Sequence, residues 1–239
     1  MDREKIWQWI RDLPEPTPCV EAAPTVKKDD GNQPQATPPI PEIIADPELV
    51  RAIRNLIGER FQQLRQLRNY RRHAAEIAVG AFLLAREAGE PEELCRLCAT
   101  AGYLHDLGKL AVAAALSRRA DPLSGTHWRQ MQTVLDREQH ELGTNHAEAG
   151  TRVARRLQLS TELRDAIQHH HDPERAEGIV AGFVFLAHYL NFENDELARV
   201  LEDLPMDLLG RLNLSVLDFL SARDQFMARK RQELQRQNC

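Results

Sequence analysis

The chain has 239 residues, 42% of them hydrophobic and 28% charged, and a formal net charge of −5. That length suits one generous domain or two small ones; no apolar run approaches the roughly 20 residues of a membrane span, and the charged start Met1-Asp2-Arg3-Glu4-Lys5 is unlike a secretory signal. The acidic balance argues against a nucleic-acid partner, and Cys19, Cys95, Cys98 and Cys239 are too few for a disulfide framework, so a soluble, cytoplasmic, globular protein is expected.

Residues 2–13 place Ile6, Trp9, Ile10 and Leu13 at helical spacing, with Trp7 beside them. A helix this short is marginal alone and has to dock on something. The stretch 14–46 is rich in proline and lacks apolar periodicity, which reads as an extended, disordered tether. From 47 to 239 the composition turns to Leu, Ala, Arg and Glu at a 3.6-residue period, with almost no strand signal, so this domain is expected to be all-α. Helices are predicted over 47–66, 69–88, 92–106, 110–117, 128–142, 145–157, 161–170, 176–191, 194–203 and 214–236. Gly89 with Pro91, the cap Ser160, and the stop Asp172-Pro173 punctuate them.

All nine histidines fall between His73 and His188. Leu94, Leu97, Cys98, Ala101 and His105 follow one helical stripe, so His105 continues a buried face and Asp106 lies about 100° round from it. A buried Asp is costly unless it is paired or binds a metal. Gly108 is expected to let that helix end just past the pair. His73 sits among Ala74, Ile77, Ala78 and Ala81; His146 opens the helix 145–157; His188 interrupts an otherwise apolar segment. In His169-His170-His171, successive side chains diverge by about 100°, so at most two face one site. Each of these histidines alone reads as a core residue bonded to a neighbour. Five helices each offering one at a buried face or end point to a metal site, and a carboxylate among imidazoles suits Fe, Mn, Zn or Ni better than Mg or Ca.

His73, followed by Leu104-His-Asp-Leu-Gly-Lys109, resembles the HD superfamily of metal-dependent phosphohydrolases. Glu141-Leu-Gly-Thr-Asn-His-Ala-Glu-Ala-Gly150, His170-His171-Asp172-Pro173 and Leu209-Gly-Arg-Leu-Asn-Leu-Ser215 are similar to its HDOD branch, over about residues 47–230. The resemblance implies a helical bundle with metal ligands at His73, His105 and Asp106, Asp106 bridging if two ions bind. His146, His170 and His171 match the extra ligands of two-metal members such as the HD-GYP phosphodiesterases. Lys109 matches the lysine of the HD-x-G-K turn, a phosphate contact, and joins Asp106 as the catalytic pair. Where superfamily enzymes end the set with an Asp, this chain has His188. The Gly-Tyr-Pro motif is replaced by Glu174-Arg-Ala-Glu-Gly178, which argues against cyclic-di-GMP as substrate.

The implied activity is phosphohydrolysis of a nucleotide or other phosphoester, in signalling, with Asp172 or Glu148 orienting ligands from behind. An alternative is a catalytically silent signalling or scaffold module whose N-terminal helix binds a partner protein; a further one is an HD-type di-iron oxygenase. Cys95 and Cys98 are read as small core residues, His127 and His140 as surface residues. Arg152, Arg155 and Arg156, and the basic end around Arg229-Lys230-Arg231, are read as solvated faces.

Overall fold

The computed structural model describes residues 67–116 and 131–237, with Gln8 and Arg11. Of the expected N-terminal helix, tether and first domain helix, only those two residues fall within this set; both are helical, and Arg11 Nη2 donates to Gln8 Oε1 at 2.9 Å. Among the described residues there are helices and no strands, as the 3.6-residue periodicity requires.

Helix α1 spans Leu67–Glu87. Its Tyr70, Ala74, Ile77, Ala81 and Phe82 are buried, and Gly89, at φ +78°, ends it in the left-handed conformation that side chains disfavour. Gly89 N–H donates to Arg86 O and Glu90 N–H to Ala85 O, so carbonyls left over at the helix end are satisfied. Helix α2, Glu92–Leu104, starts after Pro91 with Glu92 and Glu93 in the turn where negative charge is favoured. Helix α3 is Leu107–Leu116 and α4 is Met131–Leu142. Helix α5, His146–Arg156, is capped by Asn145, whose side chain accepts from Glu148 N–H; α6, Thr161–His169, is capped by Ser160 in the same way through Leu163 N–H. Helix α7 is Val180–Ala187, α8 Leu197–Asp203, α9 Met206–Arg211 and α10 Val216–Gln237. Helix α1 packs on α2, α7 and α10, α3 on α5, and α5 on α6, around a core that includes Phe82, Phe183 and Phe219.

Three local differences from the sequence expectation have physical causes. The helix expected over 92–106 stops at Leu104; His105 and Asp106 form the turn, and α3 begins at Leu107. Gly108 therefore does not end a helix: it lies inside α3, where its smallness serves packing. The helix expected from 176 begins only at Val180, because the Asp165 carboxylate accepts from Glu177 N–H and Gly178 N–H and holds that stretch as a loop after the short 3-10 turn Pro173–Arg175. Helix α9 was not expected; Pro205 just ahead of it was the available signal. Ser215 and Asp218 exchange hydrogen bonds in a capping box that starts α10. Cys95 and Cys98 are buried, and burial pushes their thiols up, to about 11 for Cys95. They are core residues. No helix among the described residues is long and apolar enough to cross a membrane.

Candidate metal centre

Small residues bring the helices together around His105-Asp106. A Cβ on Gly102 of α2 would stand 2.8 Å from Ile77 O of α1. One on Gly108 of α3 would stand 1.8 Å from His146 O and 2.5 Å from Gly150 N, both on α5. Only glycine at 108 lets the start of α3 rest on the start of α5, and that contact sets Asp106 beside His146.

Four imidazoles are then locked in one tautomer. Nδ1 of His105 lies 2.7 Å from Gly102 O, Nδ1 of His170 2.7 Å from Ile167 O, and Nδ1 of His188 3.0 Å from Val184 O. A carbonyl only accepts, so each Nδ1 carries a proton and Nε2 is the ring nitrogen left to face the cluster. The ring of His146 is held through Nδ1 by Glu138 Oε2 at 2.6 Å. His73 lies against two of these rings, its centroid 5.2 Å from that of His105 and 5.3 Å from that of His188. His171 Nε2 lies 2.9 Å from His146 Nε2.

Asp106 divides its carboxylate between two groups. Oδ2 lies 3.2 Å from His105 Nε2, 3.6 Å from His73 Nε2 and 2.9 Å from Lys109 Nζ. Oδ1 lies 3.4 Å from His146 Nε2 and 3.8 Å from His170 Nε2. Two sets of donor atoms result, Asp106–His146–His170–His171 and His73–His105–His188, each with its atoms within 4.8 Å of one another.

The electrostatics follow from burial. Asp106 is 1% exposed. Desolvation works to raise its pKa, but His105, Lys109 and His146 outweigh it and hold the carboxyl well below its ordinary value. Desolvation also lowers the imidazoles: His73 is pushed down to about 3, and His170, His171 and His188 lie well below their usual range. Neutral imidazoles facing an ionised carboxylate are ready ligands.

The fit to a cation shows in what the cluster leaves unsatisfied. The Nε2 atoms of His73, His105 and His170, the Nδ1 of His171 and both Asp106 oxygens are buried without a hydrogen bond of normal geometry. Lone pairs converge there with Lys109 as the neighbouring cation, and buried acceptors in that arrangement are costly unless a cation lies among them. The nitrogen-rich donor set suits a borderline transition ion.

All seven ligands expected from the sequence, His73, His105, Asp106, His146, His170, His171 and His188, meet in this cluster. His169 does not; it turns to Asp165, 3.9 Å away. Lys109 is 1% exposed and lies inside with the ligands, on Asp106. His140 is exposed, as are Arg152 and Arg155, whereas His127 lies outside the described residues. Asp172 and Glu148, expected behind the ligands, are exposed: Asp172 pairs with Arg175, and Glu148 accepts from the Thr144 hydroxyl. The carboxylate that does stand behind a ligand is Glu138, which the sequence reading missed. Its signal was there: Glu138 shares a helix face with Val134, Leu135 and Leu142, so a carboxylate sits on an apolar stripe.

Residues 48–173 match the model of the HDOD domain family. The chain is 28% identical over 145 residues to ribonuclease Y of Aster yellows witches'-broom phytoplasma, covering 61% of this chain and 21% of that protein. It is 32% identical over 123 residues to ribonuclease Y of Thermus thermophilus, covering 52% and 16%. The match thus spans about a fifth of the length of these relatives or less. A crystal structure of an HDOD domain protein of unknown function from Geobacter sulfurreducens is similar at 22% identity and a TM-score of 0.44, with 66% of this chain and 62% of that one covered. With the family match extending over more than half of its length, through the paired histidines of the cluster to Pro173, the chain belongs to the HDOD domain family.

Proposed function

We propose that this domain is a metal-dependent phosphohydrolase or phosphodiesterase that acts on a nucleotide or other phosphoester. One observation carries the reading: a buried group of imidazole lone pairs converges on both oxygens of one ionised aspartate. His73, His105 and His188 would hold one divalent transition ion (Fe, Mn, Zn or Ni), and Asp106, His146, His170 and His171 a second. When bound, such ions acidify water and draw charge off a phosphoryl group. Asp106 offers one oxygen to each set and stays ionised under the influence of its neighbours. Lys109 holds that carboxylate in place and adds positive charge close to the ligands, which favours the extra negative charge of a phosphoryl-transfer transition state.

The charge balance supports an anionic substrate. Burial disfavours a proton on His73, His170, His171 and His188, and Lys109 stands on Asp106, so the charge of bound ions is left for a ligand to neutralise. The ribonuclease names of the relatives add short RNA phosphodiesters to the nucleotides worth testing. The test is elemental analysis of protein purified without chelator or histidine tag, beside Asp106→Ala, followed by hydrolysis assays on nucleotides, phosphodiesters and RNA oligonucleotides. About two transition ions per chain, lost in the variant together with hydrolysis, is the expected result. Bound metal with no turnover on any phosphoester would overturn the enzymatic reading and leave a metal-loaded signalling module.

A further inference from the structure

Asp106 and Glu138 are the two buried carboxylates among the described residues. Asp106 faces the imidazoles directly, whereas Glu138, on α4, lies one ring behind them. Its Oε2 accepts from the backbone N–H of His146 at 2.8 Å and lies 2.6 Å from His146 Nδ1. The reason is local. His105, His170 and His188 stand at the C-terminal ends of helices and reach a carbonyl one turn back in the same helix. His146 is the first residue of α5, and the residues three and four before it, Gly143 and Leu142, lie in a turn and in another helix. No helical carbonyl stands behind its ring, so the anchor comes from elsewhere in the fold, and it is charged.

A carboxylate behind a metal-facing imidazole does two things that a carbonyl does less well. It fixes the Nδ1–H tautomer, here aiming Nε2 at Asp106 Oδ1, 3.4 Å away, and it feeds negative charge through the ring into the donor nitrogen. That charge matters in this cluster because Asp106 is already shared with Lys109 and no second aspartate is present among the ligands. We infer that Glu138 is a positioning residue that makes Asp106–His146–His170–His171 the tighter of the two donor sets, the one that fills first. The inference rests on the metal-site reading above.

The deciding substitution is Glu138→Gln. The amide oxygen can still accept from His146 N–H and Nδ1–H, so the cap and the tautomer survive and only the charge is lost. Zinc is titrated into metal-free protein against a chromophoric chelator, beside thermal melts and nitrogen NMR of labelled histidines. In the parent, a tight step precedes a weaker one. In Glu138→Gln the tight step weakens tenfold or more, within the roughly 10–100-fold range of such partners, while the weaker step and the metal-free melting temperature hold. Glu138→Leu, which has no acceptor, also loses the Nδ1–H signature of His146; if it does not fold, the glutamine variant decides. A Glu138→Gln protein whose tight step equals the parent's overturns the inference. A parent that takes up no zinc overturns the metal reading itself.

Discussion

The two donor sets lie side by side, yet they are held by different physics. In His73–His105–His188, the rings of His105 and His188 are pinned by carbonyls of their own helices, so their aim follows once α2 and α7 form. In Asp106–His146–His170–His171, His146 depends on Glu138 of another helix, and Asp106 meets it only because Gly108 lets α3 lie against α5. The aim of the His105 and His188 rings comes with local structure and that of His146 with tertiary contact, while both sets need their helices packed, the first through Gly102 against Ile77.

The strongest way to break that contrast is Gly108→Ala. The added methyl would stand 1.8 Å from a backbone oxygen, which cannot rotate away, so α3 and α5 must separate. The expected cost is about 3 kcal/mol or more. Where the variant still folds, Asp106 withdraws from His146 and one ion is lost first. Thermal melts with ion counts check this; loss of both ions together would show that the two sets stand or fall as one.

Replacing His188 probes the other half. His188→Ala leaves His73 and His105 as the imidazoles of that set, and zinc stoichiometry is expected to fall by about one ion per chain while the Glu138-backed step is unchanged. His188→Asp adds a carboxylate and moves the preference of that set toward manganese, which competition between zinc and manganese measures. An alanine variant that keeps both steps would remove His188 from the ligand set.

The sequence made the members of the cluster legible and their supports obscure, for a reason visible in particular residues. His73, His105 and His188 each read alone as core residues, and it was their gathering from separate helices that pointed to one cluster; the 100° step limited the triple to two members, and the family resemblance chose His170 and His171 over His169, which turns to Asp165. Gly108 was misread because a glycine just after His105-Asp106 signals a helix end equally well as a close approach, and only the position of α5 distinguishes the two. Glu148 and Asp172 looked like supports because they adjoin ligands in sequence; Glu138, eight residues before His146, supports it in space across a turn. Chain proximity is a poor guide to what stands behind a side chain at a helix start, since the partner there has to come from outside the helix.

Acid tests both halves at once, with a smaller effect. Burial, opposed by Asp106, sets His73 at about 3 in the folded protein against 6.5 when exposed. Between those values the unfolded chain binds a proton that the folded one refuses, so stability of the metal-free protein rises with pH across this window and is lost on acidification. From pH 7 to 5, His73 alone accounts for about 2 kcal/mol, or about 5 °C in melting temperature. His170, His171 and His188 act in the same direction. Asp106, lowered rather than raised, contributes stability that is lost only as pH falls below the ordinary carboxylate range, so above about pH 4.5 the imidazoles act without it. Metal-free melts of the parent, His73→Leu and His171→Leu at pH 7 and 5 separate the sets: each substitution flattens the profile by its own histidine's share. A parent that melts at the same temperature at both pH values would mean that the rings reach water, and the case for buried lone pairs awaiting a cation would fail with it.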